Sequence, residues 1–293
     1  MNSSELISAQ ALLTSLLKTR LNAEAFTALA SKQTEIENGA SDKTFFTAFS
    51  MAMRFSGKAL LNPNESELTS AQSLHAGWNI SDWTCDMTAR ASLIVALHNS
   101  TPADQAAARL LALHQTADLN EHIAIAKSLF LMPSPEAVLH IAREGIRSNM
   151  RSVFEAICQH NPYPAQYFDE VAWNQMVVKC LFVDIPLRGI YGLDKRANPT
   201  LAQILVDLAK ERWAASRPVS PEMWRCVGPF ADGEGVTAMK RALGATPTEA
   251  RGAALGLSVE KSGVGKRWLE QEAPDLLRAV TEGRLTWENY DHV

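Results

Sequence analysis

The sequence is poor in the features that mark many familiar protein classes. Its four cysteines, Cys85, Cys158, Cys180 and Cys226, are far apart and form no C-x-x-C pair. Each has apolar neighbours, which predicts buried free thiols rather than a zinc site or a disulfide framework. Unpaired cysteines are also what the reducing cytoplasm favours.

Long apolar runs and one-sided charge are absent too. No stretch approaches the roughly 20 apolar residues that cross a bilayer. Residues 1–26 have the spacing of an amphipathic helix and lack the basic start of a signal peptide. The net charge is -4, with acids and bases mixed along the chain. We therefore expect a cytoplasmic protein that neither inserts into membranes nor binds nucleic acid.

Motifs that assign a catalytic chemistry are missing. The seven histidines form neither H-x-x-x-H nor H-E-x-x-H, and the chain has no G-x-G-x-x-G, Walker A or G-x-S-x-G sequence. The GVGK run at 263–266 lacks the upstream glycine and the following Ser or Thr of a phosphate loop. We accordingly predict no metal, no cofactor and no catalytic residue from motifs alone.

Helix signals, by contrast, run through the whole chain, whereas strand signals are nearly absent. Five sites pair a capping side chain with a proline at the first helical position, where no backbone N–H is left unpaired. These sites are Thr101-Pro102, Ser134-Pro135, Asn198-Pro199, Ser220-Pro221 and Thr246-Pro247. Thr246 with Glu249 also fits a capping box. The sequence predicts an all-α protein.

The spacing of the helix starts suggests a repeat. Thr101 and Ser134 lie 33 residues apart, and each interval holds two helices. The predicted pairs are 103–116 with 120–131, and 135–147 with 150–160. Such a period favours an irregular α-solenoid of stacked helical hairpins, similar to HEAT or armadillo repeats. A non-repetitive helical bundle is the alternative.

We expect one helical domain over residues 1–293. Residues 1–100 would form an N-terminal helical cap and residues 101–293 the helical-repeat body, joined through residues 58–80.

Residues 161–182 combine aromatic, acidic and amide side chains on an otherwise apolar helix. Glu170 and Asn174 share one stripe with Leu181, beside the apolar stripe of Trp173. A buried acid must be paired, hydrogen-bonded or neutralised. This stretch is therefore the first candidate for a binding site.

A second helix is predicted over residues 200–216, with Leu201, Leu205 and Leu208 on its buried side. Arg212 falls on the same side. It is a candidate partner for Glu170 or for an anionic ligand. Alternatively, its long side chain extends to solvent.

Two further segments carry candidate binding groups. Arg188 lies in a loop punctuated by Pro186, and Trp224 and Arg225 are adjacent in the next irregular segment. An aromatic ring beside a guanidinium group can clamp a planar ligand. Surface ion pairing and ordinary packing are the alternatives.

The stretch from Asn161 to Phe230 resembles the EboA family, also called EboA-like metabolite traffic proteins. The residues that carry this resemblance are Asn161, Pro162, Tyr163, Pro164, Tyr167, Phe168, Glu170, 172–176, Lys179, Leu187, Ile190, 192–194, Arg196, Asn198, 211–213, Arg217, Pro221, Glu222, Trp224, Arg225 and 228–230. The remaining segments resemble the family in length and helical character.

The resemblance implies a soluble protein of the ebo gene cluster, which makes or exports a secondary-metabolite precursor. Its neighbours would resemble a TatD-type metal hydrolase, a UbiA-type prenyltransferase, a sugar-phosphate cyclase and a TIM-barrel isomerase. The family supplies no catalytic residues to transfer.

Our first hypothesis is a protein that binds a small metabolite, prenylated or anionic, or a pathway enzyme, on a concave helical face. The candidate ligand-binding residues are Tyr163, Tyr167, Glu170, Trp173, Asn174, Lys179, Arg188, Arg212, Trp224 and Arg225. A homodimer is compatible with this hypothesis.

Two other hypotheses stay open at this point. In an enzyme, Glu170 would act as the general acid or base. In a purely structural reading, Glu170, Asn174 and Arg212 form one buried network that joins two repeats.

Overall fold

Helices account for all the regular structure of the chain that is described. The computed structural model describes residues 1–292, except for the side chains of residues 99 and 100. Within these residues the only β-pairing is one isolated bridge between Leu60 and Thr84. The all-α prediction is confirmed.

Contacts divide the chain into two compact units, Met1–Asp169 and Glu170–Val293. We refer to them as the amino-terminal unit and the carboxy-terminal unit. The expected single domain, with its boundary between cap and body at residue 100, stays a prediction.

The amino-terminal unit contains ten α-helices. They are α1 (Ser3–Arg20), α2 (Ala23–Glu37), α3 (Asp42–Ser56), α4 (Glu65–Leu74), α5 (Cys85–Ser100), α6 (Ala103–His114), α7 (Leu119–Ser128), α8 (Leu139–Arg147), α9 (Arg151–Cys158) and α10 (Tyr163–Tyr167). Short 3₁₀ turns at Leu129–Leu131 and Pro135–Val138 connect α7 to α8. The two predicted helix pairs between residues 103 and 160 are confirmed as α6 with α7 and α8 with α9.

Helix α5 is the centre of this unit. Its residues 89–97 are buried on all sides, and it packs against α1, α2, α3 and α7. The one cation buried along it, Arg90, is paired with Asp86 at 2.5 Å and donates from Nε to the Phe49 carbonyl at 3.2 Å. Packing around one central helix differs from a stack in which each hairpin contacts only its neighbours. The expected solenoid is therefore not confirmed.

The carboxy-terminal unit contains eight α-helices among its described residues. They are α11 (Glu170–Phe182), α12 (Leu193–Arg196), α13 (Pro199–Ala214), α14 (Met223–Val227), α15 (Gly233–Leu243), α16 (Pro247–Ser258), α17 (Val264–Glu272) and α18 (Pro274–Thr281). Two 3₁₀ turns lie at Leu187–Gly189 and Gly228–Phe230. Helix α16 packs against α14, α15, α17 and α18, while α13 packs against α11, α14 and α15.

Glycines bring α14 and α16 unusually close together. A Cβ atom added at Gly256 would lie 2.9 Å from the Trp224 Cβ, and one added at Gly228 would lie 2.4 Å from the Gly256 carbonyl oxygen. Both distances are below van der Waals contact. This close crossing fixes the position of α14 and of the segment that precedes it. That segment forms part of the candidate ligand-binding site.

Candidate ligand-binding site

Helix α13 presents Arg212 at a cavity in the carboxy-terminal unit. Asn198 caps the helix, accepting a hydrogen bond from the Leu201 N–H at 2.8 Å, and Pro199 occupies the first helical position. The predicted apolar face is confirmed, since Leu201, Leu205 and Leu208 are buried. Arg212 follows Leu208 by four residues and so lies on that face.

The chain reverses direction just after the end of α13, at Ser216. Ser216 takes a left-handed conformation with φ of 54°, and the Arg217 N–H donates to the Arg212 carbonyl at 2.8 Å. This helix-ending turn leads the chain back along α13. The Pro218 carbonyl thereby meets the Arg212 side chain, whose Nε donates to it at 2.6 Å.

The cavity beside Arg212 has a volume of about 160 Å³. Its lining combines one cation, one acid, one hydroxyl group and an apolar wall. The lining residues are Leu181, Asp184, Leu208, Arg212, Pro218, Val219, Ser220 and Met223. A hollow of this kind, mostly apolar with a few fixed polar groups, is typical of small-molecule sites.

Buried carboxylates hold the segment that forms one wall of the cavity. Glu249 accepts a hydrogen bond from the Val219 N–H at 2.9 Å, and Glu222 accepts one from the Leu187 N–H. Both glutamates are buried. This role of the two glutamates could not be predicted from the sequence, because each carboxylate binds a backbone group that is 30 or more positions away in the chain.

The buried network of Glu170, Asn174 and Arg212, one of the three hypotheses from the sequence, is not formed among the described residues. Asn174 instead pairs with Asn198, with its side-chain Nδ2 3.3 Å from the Asn198 Oδ1 and the reciprocal bond at 2.9 Å. Asn198 caps the start of α13, about 21 Å along the helix axis from Arg212. Glu170 is exposed in the first turn of α11 and does not line the cavity.

The aromatic candidates of residues 161–173 pack inside the protein. Tyr163 is buried and its hydroxyl donates to the Pro135 carbonyl at 2.5 Å, and burial raises its pKa above the usual range. The Tyr167 ring lies 4.8 Å from the Tyr163 ring. Trp173 is buried, and the Arg196 guanidinium carbon lies 4.8 Å from its ring centroid.

The remaining basic candidates lie outside the cavity. Arg225 binds the Asp194 carboxylate from Nε at 2.5 Å and from Nη2 at 2.7 Å, and this hydrogen bonding raises the pKa of the arginine. Arg188 pairs with Asp291 at 2.7 Å. Lys179 is half-buried on α11 and is not among the lining residues.

Trp224 is buried, but its neighbour Trp213 opens onto a separate groove. The two indole rings are stacked with centroids 6.2 Å apart. The Arg241 guanidinium carbon lies 4.4 Å from the Trp213 ring centroid, in a groove of about 290 Å³ whose other cation, Lys210, is paired with Glu234 at 2.6 Å. This contact between Trp213 and Arg241 was not predicted from the sequence, which named Trp224 and Arg225.

The residues that the structure describes contain no group of three or more His, Cys, Asp or Glu side chains arranged to hold a metal ion. In the same part of the chain, every helix is too short or too polar to cross a lipid bilayer.

The family model described as metabolite traffic protein EboA matches residues 9–228 of this chain. No curated protein and no solved structure matches it. The matched region includes α13 and all the residues that line the Arg212 cavity.

Proposed function

Because the chain belongs to the EboA family of metabolite traffic proteins, we propose that it binds a small anionic metabolite in the Arg212 cavity. The metabolite would place its carboxylate or phosphate on the Arg212 guanidinium. Its apolar part would lie against Leu181, Leu208 and Met223, which form the apolar wall.

The proposal rests on the contacts of the Arg212 guanidinium, which is held in place but not neutralised. Its Nε is held by the Pro218 carbonyl, and among the described residues it forms no ion pair. Arg188 and Arg225, by contrast, are each paired with an aspartate. A fixed but unpaired guanidinium beside an apolar hollow suits an anion with a compact apolar group, because both parts of the ligand find partners at once.

The volume of the cavity limits the ligand. Cavities of about 150 Å³ hold a benzene molecule, and the Arg212 cavity is of similar size at about 160 Å³. A five-carbon prenyl unit or a single ring would fill it. A larger metabolite would extend beyond the cavity into solvent.

Benzoate tests the proposal, with benzyl alcohol as its neutral counterpart. Calorimetric titration at pH 7.5 should show benzoate binding and much weaker binding of benzyl alcohol. Arg212→Ala should weaken benzoate binding roughly 10- to 100-fold, since hydrogen bonds to charged groups contribute about 1.5–3 kcal/mol. The matched control is Arg241→Ala, which removes an exposed arginine from the neighbouring groove.

Two outcomes would overturn the proposal. Benzoate affinity that is equal in the wild-type protein and Arg212→Ala would show that Arg212 is not the anion anchor. Loss of binding in Arg241→Ala alone would place the ligand in the Trp213 groove instead.

Three expectations from the sequence stay predictions: docking to a pathway enzyme, a homodimer and a cytoplasmic location. Among the described residues no contact favours Glu170 as a general acid or base, since its side chain is exposed and outside the cavity. Glu170→Gln should accordingly leave benzoate binding unchanged.

A further inference from the structure

Three histidines and one glutamate meet in the amino-terminal unit, although no motif in the sequence connects them. The Nδ1 atoms of His114, at the end of α6, and His122, in the first turns of α7, are 3.0 Å apart. The other ring nitrogen of His114, Nε2, lies 3.3 Å from Glu144 on α8. His140, one turn before Glu144 on α8, contacts the second carboxylate oxygen at 3.2 Å.

The direction of these hydrogen bonds follows from the carboxylate. Glu144 can only accept, so Nε2 of His114 carries the hydrogen. In neutral His114 the Nδ1 atom is then bare and accepts from the Nδ1–H of His122. Neutral His122 is left with a bare Nε2, which is the one nitrogen of the pair that can take up a further proton.

This histidine pair lines a hollow of about 410 Å³. Its lining adds an arginine, a serine and apolar side chains to the pair. The lining residues are His114, His122, Glu144, Gly145, Arg147, Ser148, Met150 and Val153. Arg147 is exposed and, among the described residues, has no ion-pair or hydrogen-bond partner.

The floor of the hollow is built by the close packing of α8 on α9. A Cβ atom added at Gly145 would lie 2.7 Å from a side-chain carbon of Ile157. Val153 of α9 and the exposed Met150 before it supply the apolar surface. An ion bound here would therefore meet polar groups on one side and methyl groups on the other.

We propose that this hollow binds a small organic anion and takes up one proton on the His114–His122 pair as it does so. The bound anion would lie between the histidine pair and Arg147. Its negative charge would favour the cationic form of the pair, in which Glu144 stabilises His114 and the added proton occupies His122.

The surrounding charges agree with proton uptake. From α7, Asp118 and Glu121 are engaged in a capping box with each other's backbone N–H groups. From α8, Glu144 and His140 contact each other, and Arg143 is paired with Asp169. Helix α9 contributes the apolar Val153 to the lining. Burial, followed by the neighbouring His122, lowers the pKa of His114, which disfavours a charged His114 in the empty site.

Benzenesulfonate is the probe, because its single negative charge does not change between pH 5.5 and pH 8. Its affinity should fall as pH rises, by up to tenfold per pH unit above the pKa of the pair. Calorimetry on Arg212→Ala, which lacks the anion anchor of the other proposed site, in two buffers of different ionisation enthalpy should give an uptake of about one proton per bound anion. The ¹³C-labelled methyl group of Met150 should shift on binding, which locates the probe in this hollow.

Variants separate the roles of the side chains. His122→Asn should abolish the pH dependence, whereas His292→Gln, which removes an exposed histidine elsewhere, should leave it intact. Arg147→Ala, at an exposed side chain without a partner, should weaken binding several-fold at every pH and keep the slope. Affinity that does not change with pH, or an unmoved Met150 methyl at saturation, would overturn the proposal.

The proposal for this hollow and the proposal for the Arg212 cavity can be tested independently of each other. Arg212→Ala should leave the Met150 response to benzenesulfonate unchanged, and His122→Asn should leave the response of the Met223 methyl, which lines the Arg212 cavity, to benzoate unchanged.

Discussion

Single buried polar residues decide how this protein responds to pH. His98 on α5 is the clearest case, because neither of its ring nitrogens has a hydrogen-bond partner among the described residues. Burial lowers its pKa from 6.5 to about 4. In the folded protein His98 is therefore neutral over the whole range in which an unfolded histidine becomes charged.

His98 should cost the protein stability in mild acid. Its folded pKa lies below the unfolded value of 6.5, so the unfolded chain binds the proton first as pH falls. The free energy of unfolding should drop between pH 6.5 and pH 4, by roughly 2.5 kcal/mol at pH 4.5, and be unaffected above pH 7. Urea titrations at pH 7.5 and pH 4.5 would measure the drop, which should shrink by that amount in His98→Leu. An equal drop in both proteins would contradict this assignment.

Contacts of single residues also show which features of the site could not be predicted from the sequence. Arg212 was identified from its place on the leucine face of α13, which local periodicity determines. Its partner, the Pro218 carbonyl, depends on the turn at Ser216, and Asn174 pairs with Asn198 because of how α11 meets α13. Pairings between separate segments leave no periodic trace in the sequence, and so the sequence alone could not decide whether Arg212 pairs with Glu170, holds an anion or extends to solvent.

At the scale of helices, the crossing of α14 over α16 positions the segment that walls the cavity. Gly256→Ala should destabilise the carboxy-terminal unit by about 1–3 kcal/mol, since its Cβ would overlap the Trp224 Cβ and backbone. The matched control is Gly233→Ala at the start of α15, where an added Cβ has no atom within 4 Å. Chemical denaturation should leave this control neutral or slightly more stable. Equal stability of Gly256→Ala and wild type would argue against the close crossing.

Helix starts show where local signals suffice. Thr246 and Glu249 form the predicted capping box, and Asn198 caps α13 as predicted. Ser220-Pro221 has the same local pattern, yet α14 begins only at Met223, because Glu222 and the Val219 N–H are engaged with distant groups. The same pattern at Thr101-Pro102 and Ser134-Pro135 also forms no side-chain cap, so the pattern alone locates a helix start only approximately.

For the whole molecule, the cysteines report on global unfolding. All four are buried free thiols, as predicted, and burial raises the pKa of Cys226 to about 12. A thiol reagent at pH 8 should therefore find no reactive cysteine in the native protein and four after unfolding in urea. Two cysteines that react at lower urea than the other two would show that the two units unfold separately. Rapid reaction of the native protein would contradict the burial.

The whole molecule also sets the limit of sequence-based prediction here. The all-α class and the approximate bounds of the helices between residues 103 and 160 follow from periodicity and caps. The central position of α5 and the meeting of His114, His122 and Glu144 depend on packing between helices that are distant along the chain. These features could not be predicted because a single sequence gives no information about such contacts.

The most direct test of metabolite binding at Arg212 uses the nine methionines of the chain. Only Met223 lines the Arg212 cavity, so a ¹³C-methyl spectrum of labelled protein locates a bound ligand, with Met223→Leu assigning the signal. Saturating benzoate should shift the Met223 methyl resonance in the wild-type protein and not in Arg212→Ala. An unmoved Met223 resonance, or a shift confined to other methionines, would contradict the account.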